Sequence, residues 1–221
     1  MMKLTQRMAA LLLALLLLAT AALAEEGTGA AEEASLVEDA GAVEESSAIE
    51  AAAEAQDGNE VSGHIAFTED MAPYAGRWVT FEDGFKLYLP EEWTRVELDE
   101  AQQQAGLFYR ADNLGSDSAV GETPMGVAVS FMRAGDLTTL DDLVADFGNV
   151  GFTELDKLDI NGILCISFAN VGEDYRGVAF YHATYPNYIM AVYISPNGSD
   201  DPTVNDVGSA ILCSVSPFAA K

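Results

Sequence analysis

Residues 152–171 read FTELDKLDINGILCISFANV. At their centre stands Asn161-Gly162, a dipeptide well suited to a two-residue type I′ turn, because both turn residues must take positive φ. Residues 152–160 and 163–171 are therefore predicted as the paired strands of a hairpin. Residues 177–185 and 188–195 supply two more strands, joined at Pro186-Asn187. Strands joined by tight turns pair antiparallel, so this stretch sets the class of the whole domain.

Working outward, residues 77–81 (RWVTF) and 85–89 (FKLYL) flank Glu82-Asp83-Gly84 and predict a second hairpin. Pro90 ends its second strand, because it has no N–H for a ladder. Residues 91–105 are polar and read as a loop with a short helix; residues 106–110 (GLFYR) read as a strand. Residues 125–133 (MGVAVSFMR) alternate, with Val127, Val129 and Phe131 on one face. Thr138 or Thr139 caps a helix that carries Asp141 and Asp142 in its first turn and a stripe of Leu140, Leu143, Val144 and Phe147. Ser199, Asp200 or Asp201 caps a last helix with Pro202 near its first position, and Val204, Val207, Ile211 and Val215 recur at spacings of three and four. The expected class is α+β: a largely antiparallel sheet of about seven strands flanked by helices.

The chain divides into three compositional regions. In residues 1–24, Lys3 and Arg7 precede an apolar run that ends in Ala22-Leu23-Ala24, the pattern of a cleaved signal peptide. The run is shorter than the roughly 20 apolar residues of a membrane span, and no Cys follows it to take a lipid. The alternative is an uncleaved N-terminal anchor. Residues 25–62 are rich in Ala, Glu, Gly and Ser and hold 12 acidic residues but no basic or aromatic one. Such a segment buries too little apolar surface to offset its ordering entropy, which predicts a disordered acidic spacer. Residues 63–221 hold both Trp, both His, both Cys and all 7 Pro and are expected to form one domain.

Cleavage after Ala24 removes two of the 10 basic residues and none of the 36 acidic ones, leaving 8 minus 36, or −28. That charge excludes nucleic acid and anionic lipid as partners, because phosphates would be repelled. The expected product is a secreted or cell-envelope protein, a monomer with no membrane span after cleavage.

The order of elements resembles PsbP-like and DcrB-like domains. The residues that carry the likeness are FKLYLPEEW at 85–93, GVAVSFMR at 126–133, the Thr139-Leu140-Asp141-Asp142-Leu143 helix start and the ILCSVSP tail at 211–217. The likeness spans roughly residues 76–218. It implies an α/β/α sandwich around an antiparallel sheet, with accessory or assembly roles in extracytoplasmic complexes, and it carries no residue-by-residue ligand site.

No nucleophile elbow, phosphate-binding glycine loop or zinc-ligand spacing occurs, so no enzyme activity and no cofactor are expected; a hydrolase with a dispersed site ranks last. His182 reads as a hydrogen-bonded strand histidine. The loop containing Asp112, Asn113 and Asp117 offers oxygen ligands suited to Ca²⁺, although it lacks the distal Glu and fixed Gly of an EF-hand. Its other reading is a polar surface loop. Cys165 and Cys213 have two readings: one disulfide, worth about 3–4 kcal/mol by loop entropy, or two buried thiols. Tyr181, Tyr185, Tyr188 and Tyr193 form a candidate binding surface, since tyrosine offers contact area at low entropy cost, though tyrosine also suits a half-buried sheet. The leading functional expectation is an exported, non-catalytic binding or assembly module acting by protein–protein contact through its sheet edge or its Tyr-rich strands. The alternative is a small-ligand or Ca²⁺-binding extracytoplasmic protein.

Overall fold

A computed structural model describes residues 58–82, 84–115 and 123–218. The signal-peptide region, most of the acidic spacer and Asp117 lie outside these residues.

The hairpin at Asn161-Gly162 forms as the sequence predicts. Strands β7 (Lys157–Ile160) and β8 (Ile163–Asn170) pair antiparallel across it, and Asn161 and Gly162 take φ of 53° and 87°. β7 is shorter than its sequence pattern suggests. Glu154 takes φ of 55°, a left-handed conformation that breaks an extended run, so only Thr153 bridges to Ala169 before the strand begins. β9 (Tyr175–Tyr181) and β10 (Tyr188–Ser195) follow in order, and β10 returns the chain to β6 (Gly126–Arg133) and β5 (Leu107–Asp112). Two short strands close the sheet. β1 (Gly63–Ile65) runs parallel to β7, and β4 (Thr94–Arg95) pairs with β5, giving the order β1-β7-β8-β9-β10-β6-β5-β4.

The second predicted hairpin also forms, but in a separate sheet. β2 (Gly76–Phe81) and β3 (Phe85–Pro90) join β11 (Ser216–Pro217) in the order β11-β3-β2. Among the described residues the count is therefore eleven strands in two sheets rather than about seven in one. This small sheet and the last helix, α3 (Pro202–Cys213), cover one face of the main sheet: Phe85, Leu87, Leu89, Ile211 and Val215 pack with Val127, Val129, Phe180 and Val192. The other face is covered by α2 (Leu140–Asn149), whose Leu140, Leu143 and Phe147 pack on Ile166, Phe168 and Ala179. A short helix, α1 (Glu100–Gln104), precedes β5. Among the described residues no helix is long and apolar enough to cross a membrane.

The helix starts follow from their caps. Thr139 Oγ1 accepts from the Asp142 amide, and the Asp142 carboxylate accepts from the Thr138 and Thr139 amides at 2.9 Å each. Those amides hold the Asp142 carboxyl below its usual range. The Leu140 amide donates to Asn59 Oδ1 at 2.9 Å and the Asp141 amide to the Gly58 carbonyl at 3.1 Å, so the first three orphan donors of α2 are all satisfied. Residues 58–62, which the composition assigns to the spacer, are thus part of the folded domain. Val61 also packs into the α2-side core, and the Ser62 amide donates to the Lys157 carbonyl. Asp201 caps α3 by accepting from the Thr203 amide at 2.9 Å, with Pro202 at the first position.

Candidate functional site

β5 and β6 create two candidate surfaces, and an irregularity in β5 separates them. Leu107 pairs with Ser130 and Tyr109 with Val129, so Phe108 is an extra residue, a β-bulge. Leu107 packs in the α2-side core, whereas Phe108 and Tyr109 both pack on the small-sheet side. Gly106 permits the irregular start: its φ is 95°, and a Cβ there would lie 2.5 Å from the Phe131 carbonyl. Beyond the bulge, Arg110 and Asp112 point back to the α2 side.

The first surface is an aromatic groove where the small sheet ends. Phe81 meets Phe108 edge-on at 5.9 Å, Phe108 leans on Phe131 at 6.0 Å, and Phe131 meets Tyr188 at 6.1 Å. Tyr185, Asn187 and Met190 complete the lining. Phe131 is 43% exposed and Tyr185 59%, so the apolar face of the main sheet continues past its cover into solvent. His182 builds one wall. It is buried, and its Nδ1 accepts from the Thr184 and Tyr185 amides at 3.0 Å each, which fixes the turn that carries Tyr185. The Arg133 guanidinium lies 6.0 Å from the Tyr188 ring.

The second surface is a cavity of about 370 Å³ at the opposite end of the same strands, on the α2 face. It exists because β6 presents Gly126 and Ala128 there. Arg110 lies opposite Ala128 on one side and Tyr193 on the other; Asp112 and Ser195 flank Gly126 in the same way. Small side chains between long ones leave a void. The Arg110 guanidinium approaches Asp112 at 3.5 Å, with both side chains nearly fully buried. Asp112 Oδ1 also accepts from the Leu114 amide. Arg110 Nε and Glu173 Oε2 are buried with no hydrogen-bond partner among the described residues. The Tyr193 and Ser130 hydroxyls adjoin, yet neither makes a well-formed hydrogen bond. Burial holds the Tyr193 phenol well above its ordinary value, with the Ser130 hydroxyl pulling the other way.

The residues singled out from sequence distribute unevenly. The four tyrosines do not form one surface. Side chains alternate along β10, so Tyr188 faces the groove with Met190, while Tyr193 faces the α2 side with Ile189 and Ala191. Tyr181 shares the α2 side and donates its hydroxyl to the Thr139 carbonyl at 3.0 Å. Only Tyr185 and Tyr188 reach a common surface.

Of the Ca²⁺ candidates, Asp117 lies outside the described residues, and Asp112 and Asn113 are engaged within the fold. Asp112 is buried against Arg110, and Asn113 uses its amide to donate to the Thr123 carbonyl and accept from the Met125 amide. Among the described residues no three His, Cys, Asp or Glu side chains gather to hold a metal.

Cys165 is buried and Cys213 half-buried, and both carry free thiols. Burial first, then the Asp159 carboxylate and Cys213, push the Cys165 thiol up to about 12. Burial also raises Cys213, against the pull of Arg176.

The cavity is the feature that reading the sequence missed. Its signal is present: Gly126, Ala128 and Ser130 form a small-residue stripe opposite the apolar stripe of Val127, Val129 and Phe131. What pattern reading cannot supply is the bulge that turns Arg110 and Asp112 toward that stripe. Comparison with known proteins finds no matching family model and no matching curated protein.

Proposed function

We propose that the chain is an exported, non-catalytic binding module that docks a partner protein of the extracytoplasmic space through the aromatic groove. The observation that carries this reading is the run of Phe108, Phe131, Tyr185 and Tyr188 at the end of the small sheet, with Phe131 and Tyr185 exposed and Phe108 and Tyr188 half-buried. Exposed aromatic residues of this kind anchor protein interfaces, because each gives a large contact area for few frozen torsions. The sheet edges support a partner less well. The outer strands of the main sheet, β1 and β4, are three and two residues long and offer little backbone to pair. In this reading residues 1–24 direct export, residues 25–57 space the domain from its surroundings, and the acidic charge favours a neutral or basic partner. The element order, similar to PsbP-like and DcrB-like domains, supports an assembly role.

The test is crosslinking of the mature protein in its native envelope, with wild type beside Phe131→Asp and Tyr185→Asp. Both positions are exposed, so both variants should keep the wild-type melting temperature. The reading expects a crosslinked partner that both variants lose. A partner set identical in all three proteins would refute it.

A further inference from the structure

We infer that the cavity between Arg110 and Tyr193 is a second, independent binding site, and that its ligand is a small aminocarboxylate of the free amino-acid class. Its volume of about 370 Å³ lies at the lower end of the range for small-molecule sites, which favours a compact metabolite.

The chemistry of the lining names the class. Two donors line the floor: Arg110 and Tyr193 are 6% and 3% exposed, and the Arg110 Nε–H and the Tyr193 hydroxyl lack well-formed bonds within the described residues. A buried donor without a partner costs about 1–3 kcal/mol, and an oxygen acceptor inserted here removes that cost. The rim carries the opposite character. Glu173 Oε2 is an acceptor without a partner among the described residues, and beside it Asp174 is exposed and accepts from the Asn197 amide. Among the described residues that line the cavity, one cation, Arg110, is set against three carboxylates, those of Asp112, Glu173 and Asp174. Purely anionic ligands are therefore disfavoured. A molecule with carboxylate oxygens at the floor and an ammonium at the rim satisfies both ends. Leu114, Pro124, Met125 and Pro196 give the walls apolar surface for a short side chain.

The site is tested by thermal shift and calorimetry on the mature protein with each of the common amino acids. 1,4-Diaminobutane, an amine without an acceptor, and succinate, an acceptor without an amine, serve as controls. At least one amino acid should raise the melting temperature by several degrees and neither control should. Tyr193→Phe deletes one hydroxyl that lacks a well-formed bond, so the ligand-free variant should melt no lower than wild type. It should nevertheless bind the stabilising amino acid about tenfold more weakly, and Glu173→Gln at the rim should do the same. The inference falls if no amino acid shifts the melting temperature. It also falls if either control stabilises as well as an amino acid, or if both variants bind like wild type. Groove variants such as Phe131→Asp should leave this binding unchanged, so the two sites fail or survive separately.

Discussion

Replacing Asn161 should loosen three segments at once, although it is a half-buried turn residue. Its Nδ2 donates to the carbonyls of Cys213 and Val215 at 2.9 and 2.8 Å, where α3 ends and its last carbonyls need donors. Its Oδ1 accepts from the Phe67 amide, tying down the chain beyond β1. Each such bond contributes about 1 kcal/mol net, so removing the side chain costs about 3 kcal/mol, less whatever water restores at a half-exposed site. Asn161 also sits at φ of 53°, where alanine costs about 1–2 kcal/mol more. Asn161→Ala should therefore lose about 4 kcal/mol and Asn161→Gly about 3 kcal/mol. In urea, with a slope of about 2 kcal/mol per molar, the midpoint should fall by roughly 2 M for the alanine variant. The glycine variant separates turn from staple, because it keeps the φ and loses only the side-chain bonds. If Asn161→Gly unfolds at the wild-type midpoint, Asn161 serves the turn alone and the stapling argument is refuted.

Gly177 stands at the middle of the sheet, where a Cβ would lie 2.4 Å from the Val192 carbonyl and 2.6 Å from Phe168 Cζ. Gly177→Ala should cost about 3 kcal/mol or more in a thermal melt, and a loss under about 1 kcal/mol would show that β9 and β10 shift freely. Alkaline pH should also destabilise the domain. Burial raises the phenols of Tyr74, Tyr109, Tyr175, Tyr181 and Tyr193 and pushes the Cys165 thiol up to about 12. The folded state then holds these protons more tightly than the unfolded state. Their contribution is full below the ordinary thiol value of 9.0 and is lost as pH climbs toward 12. A melting temperature that stays flat between about pH 8 and pH 11 would contradict that assignment.

Much of the fold was legible because local signals agreed with tertiary demand. Asn161-Gly162 made its turn, Thr139 and Asp201 capped their helices, and β10 took the predicted residues 188–195. The failures have local causes. β1 is three residues long and earns its place only by parallel pairing with β7, which no short-range pattern announces. β7 begins late because Glu154 adopts a left-handed conformation that nothing in its neighbours forecasts. The tyrosine surface failed on parity: residues 188 and 193 are an odd number apart, so one strand sends them to opposite faces. The cavity was illegible because GLFYR reads as an ordinary strand, and only the bulge at Phe108 shows where Arg110 points.

The composition of β6 argues that the cavity is more than a packing defect. On the small-sheet face, Val127 and Val129 are fully buried and fill the space between strands. On the α2 face the same strand offers only Ala128 between Arg110 and Tyr193, and Gly126 between Asp112 and Ser195. A domain that needed only a core would be better served by apolar side chains there. A buried ion pair seldom outperforms well-packed hydrophobic residues of similar volume, and the Arg110–Asp112 contact at 3.5 Å is long. Buried polar groups without full partners are costlier still. Such a cluster is stabilised when a ligand supplies the missing bonds, and it is the binding of that ligand, rather than folding, that the arrangement favours.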